Sequence, residues 1–155
     1  MLIRTKCFGE IDLEDSKIIH FDNGIMGFED CKDYTILYDI EEGDSGNISW
    51  LQSVDEPGLA LPVINPLYVM KEYDPVVEDE IIKSLGELND DNLVILVTLT
   101  VPSDITKMTA NLKAPLVMNA DTRKGCQIIV EEASYKVKYN VYDAIQKLKE
   151  EKGVD

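Results

Sequence analysis

Hydrophobic residues along most of the chain recur at every second position in short runs, which is the spacing of strands with one buried face. The longest apolar run, Leu93–Val101, is rich in β-branched residues and too short to span a membrane, so it predicts a central strand. Pro102 ends this run, and apolar residues return at Leu116–Met118, directly after Pro115, which suits the first position of a strand. The sequence therefore predicts a strand at Leu93–Val101, a bent connection, and a second strand at Leu116–Met118 near the end of the stretch Met108–Asn119.

Seven further runs are short, rich in β-branched or aromatic residues and bounded by turn-forming residues. They predict strands at Leu2–Phe8 (with a short piece through Leu13), Ser16–Phe21, Tyr34–Asp39, Ile48–Val54, Leu59–Ile64, Gln127–Val130 and Ser134–Tyr139. The third and fourth of these form a predicted hairpin with an acidic tip at residues 40–47. Pro62 cannot donate a hydrogen bond to a ladder, so it is expected at an edge, a bulge or a bend.

Two segments have helical spacing instead. Glu78–Leu85 has acidic residues in its first turn and Gly86 directly after it, which predicts a short helix. Asn140 is a candidate N-cap for a second helix over Val141–Lys152, where apolar residues recur at helical intervals. The pattern predicts one mainly β domain, an antiparallel roll or small barrel over residues 1–139 followed by a helical extension over 140–155.

The distribution of charge changes this picture more than the overall composition does. The chain has 30 acidic and 15 basic residues, and residues 29–91 contain 17 of the acids against 3 bases. If the fold keeps this stretch together, it forms an acidic face that repels nucleic acid. Such a face would speed association with a basic partner, or it would serve only solubility, and composition leaves both alternatives open.

Residues with catalytic or metal-binding chemistry are few. His20 is the single histidine, and no acid or cysteine stands in a sequence relation to it that suggests a catalytic dyad. Cys7, Cys31 and Cys126 are an odd number at wide spacings, which argues against a disulfide framework or a zinc site. No signal peptide is recognisable. We therefore expect a cytoplasmic protein that is not an enzyme, has no cofactor or metal, and binds neither membrane nor nucleic acid directly.

Six segments occur in a fixed order along the chain: Phe8-Gly9-Glu10, Ile19–Glu29, Trp50–Asp55, Leu59–Pro66, Met108–Asn119 and Arg123–Gln127. Each is a weak signal alone, but together they closely resemble the FliW family of flagellar assembly factors. The resemblance implies a cytoplasmic, mainly β roll or barrel. It also implies binding to newly made flagellin and to CsrA, the small RNA-binding dimer that represses flagellin translation. Exchange between these partners would couple flagellin synthesis to flagellin export.

The resemblance and the charge distribution together suggest candidate contact residues. CsrA must present basic residues to RNA, so its expected contacts here are acidic: Glu41, Glu42, Asp44, Asp74, Glu78 and Asp79. An acidic face could mimic RNA or could dock beside the RNA site, and the resemblance favours docking. The family-motif residues expected to hold the fold are Trp50, Gln52, Asp55, Asn65, Asn111, Pro115 and Asn119, with Trp50 as a core residue.

Several expectations concern the partners themselves. Flagellin should need an apolar groove with a polar rim, and the free protein is expected to be a monomer. A flagellin-specific chaperone without a role in translation is the alternative function, and an enzyme on this scaffold would require a deep pocket. Typical family members end soon after the strand equivalent to Tyr135–Tyr139, so the resemblance implies that the predicted terminal helix is an addition in this chain.

Overall fold

Eleven strands and two helices form the regular structure of residues 1–38 and 48–153, the parts of the chain that this computed structural model describes. The strands are β1 (Leu2–Arg4), β2 (Glu10–Asp12), β3 (Ile19–Phe21), β4 (Asp33–Tyr38), β5 (Ile48–Ser53), β6 (Ala60–Ile64), β7 (Leu93–Thr100), β8 (Thr109–Ala110), β9 (Leu116–Asn119), β10 (Lys124–Gln127) and β11 (Tyr139–Asn140). The helices are α1 (Asp79–Leu85) and α2 (Tyr142–Gly153). The mainly β prediction with one short and one terminal helix is confirmed.

Seven of the strands close into a barrel. The ring runs β7-β6-β5-β4-β3-β10-β9 and returns to β7, where Leu93–Leu96 pair with residues 116–119 of β9. Neighbouring strands are antiparallel except β3 and β10, which are parallel, with His20 opposite Lys124. The predicted small barrel is therefore confirmed, and the parallel pair is the one departure from an all-antiparallel ring within the described residues.

The connection between β8 and β9 contains the bend that allows both of these strands to pair with β7. β8 pairs with Leu99 and Thr100 at the end of β7, whereas β9 pairs with its beginning. Between them the side-chain oxygen of Asn111 accepts hydrogen bonds from the amides of Lys113 (3.2 Å) and Ala114 (3.1 Å). These bonds satisfy backbone donors that leave the ladder at the turn. The predicted strand, bent connection and strand are confirmed as β7 and β9, whereas the short strand β8 within the connection was not predicted.

Apolar residues fill both faces of the barrel wall. The interior contains Phe21, Tyr34, Leu51, Val63, Leu116 and Met118. A second core lies outside the barrel, where Ile64, Val97 and Leu99 meet Val141 and Ile145 of α2. A third core places Leu85 of α1 against Val117 and Ile128. Successive residues such as Val63 and Ile64 point to different cores, as the period of two in a strand requires.

Two predicted strands near the C-terminus are wrong. The run Gln127–Val130 is not a strand: β10 ends at Gln127, and the residues after it pair with the bend instead. The amides of Ile128 and Val130 donate to the carbonyls of Pro115 (3.1 Å) and Lys113 (2.8 Å). Because the partner segment is bent, a regular ladder cannot continue.

The stretch Ser134–Tyr139 is mostly turns, and only Tyr139 belongs to a strand. Its Tyr135 ring packs on Tyr73 with ring centroids 4.5 Å apart, and the Tyr135 hydroxyl accepts a hydrogen bond from the Asp74 amide at 2.9 Å. Tyr135 and Tyr139 both pack against the second core, although only Tyr139 lies in a strand.

Smaller differences concern element boundaries. At the N-terminus, Leu2–Phe8 shortens to β1, and Ser16–Phe21 divides into a 3₁₀ turn at Asp15–Lys17 and β3. The second helix begins at Tyr142, whose amide donates to the Asn140 side chain at 3.2 Å. Gly86 ends α1 with φ of 90°, a conformation that glycine adopts without strain. The tip predicted at 40–47 lies outside the described residues.

Two buried tyrosines should respond in opposite ways to loss of their hydroxyl group. Tyr73 donates to the Leu112 carbonyl at 2.6 Å, whereas the hydroxyl of Tyr34 has no partner among the described residues. We expect Tyr73→Phe to cost about 1–3 kcal/mol, because a buried carbonyl loses its donor. Tyr34→Phe should keep or raise stability, because an unpaired polar group leaves the core. Urea unfolding at neutral pH measures both, and equal losses would contradict the assignment.

The same pair predicts how stability falls at high pH. Burial raises the pKa of Tyr34 from its ordinary value of 10.0 to about 12, and it also raises the pKa of Tyr73. Above pH 10 a tyrosine in the unfolded chain loses its proton, while these two tyrosines keep theirs in the folded protein. Deprotonation therefore stabilises the unfolded state, and the free energy of unfolding falls as the pH rises toward 12. Tyr34→Phe should make this fall shallower, as urea midpoints across that range would measure.

Candidate functional site

An open groove lies between the segment before α1 and the segment after β10. Its volume is about 430 Å³, and its apolar floor includes Val76, Ile129 and Tyr135. Val76 is 79% exposed and Ile129 is 57% exposed, which is unusual for large aliphatic side chains. Ile129 faces outward because its neighbours Ile128 and Val130 are buried against the bend. The floor is therefore a consequence of strand-like alternation next to the Asn111 bend.

Four carboxylates surround this floor: Asp74, Glu78, Glu131 and Glu132. All four residues are exposed. Among the side chains that the structure describes, no lysine or arginine lies within 4.0 Å of a carboxylate. The rim carboxylates are therefore in no ion pair with a described lysine or arginine, although the ammonium of Lys113 lies 3.2 Å from the carbonyl of Val130, which also lines the groove. We call this surface the acidic groove.

A second groove, which we call the Trp50 groove, lies on the outer face of β5, β6 and β7. Its volume is about 690 Å³, and most of its wall is apolar. The described lining residues are Lys6, Cys7, Phe8, Ile48, Trp50, Ala60, Pro62, Leu99, Thr100, Val101 and Met108. Trp50 stands opposite Pro62 in the pairing of β5 with β6. The pairing of β6 with β7 includes Val63 and Ile64 but not Pro62, which fits the sequence prediction for this proline.

Gln52 positions one wall of the Trp50 groove. This buried side chain accepts a hydrogen bond from the Lys6 amide at 2.9 Å through its oxygen. Its nitrogen donates to the carbonyls of Ser53 (3.0 Å), Pro57 (3.2 Å) and Leu59 (3.2 Å). The residue thereby ties the β1–β2 hairpin to the turn between β5 and β6, which holds Lys6, Cys7 and Phe8 beside Trp50.

Comparison with known proteins identifies the family. The family model described as FliW protein matches residues 2–141 of this chain. The flagellar assembly factor FliW of Lachnoclostridium phytofermentans is 58% identical over 146 residues, which are 94% of each chain. That of Lachnospira eligens is 53% identical over 148 residues, covering 95% of this chain and 98% of its own. The chain belongs to the FliW family.

A solved FliW structure agrees with the fold. The crystal structure of the flagellar assembly factor FliW superposes with a TM-score of 0.82 at 31% identity, covering 91% of this chain and 96% of its own. The FliW of Leptospira biflexa matches over 97% of both chains, a span that must include most of α2. The matched sequence of this relative thus extends into the α2 segment, whereas the family model ends at residue 141, directly before α2.

The structure divides the expected FliW contact residues into three groups. Asp74 and Glu78 meet at the acidic groove. Asp79 is the exposed first residue of α1 and does not line that groove. Glu41, Glu42 and Asp44 lie outside the described residues. Glu131 and Glu132 were not among the expected contacts, because their part of the chain has nearly balanced charge. An acidic pair directly after the alternating Ile128–Val130 run was the available signal.

The family-motif residues of FliW also differ in their surroundings. Trp50 is partly exposed in its groove, contrary to its expected place in the core. Asp55 is exposed, and Asn65 accepts from the Leu67 amide at 3.0 Å at the start of a 3₁₀ turn. Pro115 is buried directly before β9. These positions fit structural roles for Asn65 and Pro115, and they leave Trp50 available for contact with a partner.

Asn119 is a buried polar residue whose side chain makes four hydrogen bonds. Its side-chain nitrogen donates to the carbonyls of Leu85 (3.0 Å) and Glu87 (3.2 Å), and its oxygen accepts from the amides of Asp121 (2.9 Å) and Thr122 (3.2 Å). The residue is fully buried. It joins the end of α1 to the turn between β9 and β10, and so supports the wall of the barrel beneath α1.

His20 lies between two aspartate side chains on the protein surface. The His20 ring is exposed, with Nδ1 2.7 Å from Asp33 and Nε2 3.0 Å from Asp22. In the described parts of the chain, no group of three His, Cys, Asp or Glu side chains is placed to hold a metal ion. Within those same parts, no helix is long and apolar enough to cross a membrane.

Replacement of Asn119 should destabilise the protein strongly. We expect Asn119→Ala to cost about 2–3 kcal/mol, because it removes four hydrogen bonds at a buried site. The matched control is Asn23→Ala at an exposed turn, which should change stability by less than about 0.5 kcal/mol. Urea denaturation of both variants tests the assignment, and similar midpoints for the two would refute it.

Proposed function

We propose that this protein is a non-enzymatic, cytoplasmic flagellar assembly factor that binds flagellin and antagonises the translational repressor CsrA. Its family membership supports the role in flagellar assembly, because the matched relatives are named as assembly factors. Binding of flagellin would leave CsrA free to repress, and export of flagellin would release the protein to bind CsrA. The protein would thereby couple flagellin synthesis to flagellin export.

The acidic groove is the observation that supports a basic partner. It combines four exposed carboxylates with an apolar floor, and no described lysine or arginine forms an ion pair with them. A protein that binds RNA presents lysine and arginine, so its surface is complementary to this rim. Electrostatic attraction of this kind speeds encounter and weakens as salt is added.

The floor of the groove bears on how CsrA would be antagonised. A surface that copied the RNA backbone would need negative charge alone, since most RNA contacts of this kind are made to phosphates. Val76, Ile129 and Tyr135 add apolar area that gains free energy when a protein surface covers it. This combination favours docking on a protein patch that has both basic and apolar residues, beside the RNA site, over simple mimicry of RNA.

Charge reversal in the acidic groove should separate this function from general acidity. We expect Glu78→Lys combined with Glu131→Lys to weaken CsrA binding by at least about tenfold, because two carboxylates at the rim become cations that repel a basic partner. The matched control is Asp90→Lys combined with Asp91→Lys, which makes the same change in net charge at exposed acids that do not line the groove. Isothermal calorimetry at low and moderate salt measures both.

Four results of these measurements, extended to a variant with reversed charge at Glu41, Glu42 and Asp44, differ in meaning. A selective loss in the groove variant, with unchanged thermal unfolding, supports the groove as the CsrA contact. Equal loss in both variants assigns the effect to net charge, and loss only on reversal of Glu41, Glu42 and Asp44 assigns it to the predicted hairpin tip. If the unsubstituted protein binds flagellin but never CsrA, the protein is a flagellin chaperone without a role in translation.

A further inference from the structure

The Trp50 groove continues an apolar face that a helix already covers in part. Ile48, Leu99 and Met108 line the groove and also pack in the core beneath α2. There Val141 and Ile145 of α2 cover the outer face of the sheet. The face therefore extends beyond the area that α2 buries, and its uncovered part, about 690 Å³ in volume, is the Trp50 groove.

The charge around the Trp50 groove is opposite to that of the acidic groove. Lys6 is the one charged residue among the described lining residues, and no carboxylate is among them. The chain has a net charge of −15 and twice as many acidic as basic residues, so a groove of this size with no acid among its described lining residues is unusual for this protein. A partner that fits here would bring apolar side chains toward Trp50 and a carboxylate toward Lys6.

We propose that the Trp50 groove is a second docking site, which binds the apolar side of a partner helix that bears carboxylates. A helix is the fitting occupant because the adjoining part of the same face is filled by the apolar side of α2. Trp50 and Phe8 supply the large aromatic area that dominates the binding energy of such contacts. The inference rests on the proposed function, in which flagellin is the partner that supplies this helix.

The two grooves are separate sites for chemically different partners. They share no described lining residue, and Lys6 is the one charged residue described in the Trp50 groove, whereas the acidic groove has four carboxylates at its rim. Substitutions in one groove should therefore leave the affinity for the other partner unchanged. The exclusion that the proposed exchange of partners requires would therefore come from the bulk of the bound partners and not from shared contact residues.

Trp50 makes the groove directly observable, because it is the single tryptophan of the sequence. We expect tryptophan emission to shift to shorter wavelength when flagellin from the same organism is added, with any tryptophan of that flagellin replaced by phenylalanine. Binding removes the indole ring from water, which causes the shift. Added CsrA, which would bind at the acidic groove, should leave the emission unchanged.

A matched pair of valine substitutions tests the site without disturbing the core. Val101 lines the groove and is 49% exposed, whereas Val137 lines none of the grooves described above and is 53% exposed. We expect Val101→Glu to weaken flagellin binding at least about tenfold in calorimetry, and Val137→Glu to leave it unchanged. CsrA affinity should be the same for both variants.

Each other outcome overturns the proposal in a distinguishable way. Flagellin that binds tightly to the Val101→Glu variant and leaves Trp50 emission unchanged excludes this groove but keeps the proposed function. Absence of flagellin binding to the unsubstituted protein overturns both. If sedimentation shows that the free protein is a dimer and that Val101→Glu makes it a monomer, the occupant of the groove is a second copy of the chain.

Discussion

The fold depends on one strand having three hydrogen-bonded neighbours. β7 pairs with β6, and it also pairs with β9 at its beginning and with β8 at its end. Two successive strands can pair with neighbouring stretches of β7 only if the chain turns sharply between them. The side-chain oxygen of Asn111 supports that turn by accepting from two amides that have left the ladder. One half of β7 thereby closes the barrel, and the other half extends the sheet outside it.

The outward extension explains why the molecule has more apolar surface than one core can hold. α2 and α1 each cover part of the outer face, at Val97 and Leu99 in one case and near Val117 in the other. What they leave uncovered becomes the two grooves. Their chemistry differs because the segments that border them differ: the Gln52-held hairpin brings Lys6, while the strand-like run after β10 brings Glu131 and Glu132.

Local patterns predicted the parts of the fold that local interactions determine. The run Leu93–Val101, the β4–β5 hairpin and both helices follow from alternation, turn residues and caps, and the structure has all of them. The strands expected at Gln127–Val130 and Ser134–Tyr139 failed because their partners are distant in sequence: the bend at residues 111–115 and the Tyr73 ring. The sequence predicted two residues of the acidic groove, Asp74 and Glu78, as partner contacts. It could not predict that Glu131 lies beside them, because the fold brings these distant parts of the chain together.

The parallel pairing of β3 with β10 has a consequence for synthesis of the protein. His20 lies opposite Lys124, so the ring cannot close until residues near the end of the chain have left the ribosome. Until then, the apolar strands of the first half have unpaired edges, a condition that favours aggregation. Residues 29–91 carry a strong negative charge, so incomplete chains that contain them repel one another. The same acidity that would attract a basic partner after folding would protect the chain while it is incomplete.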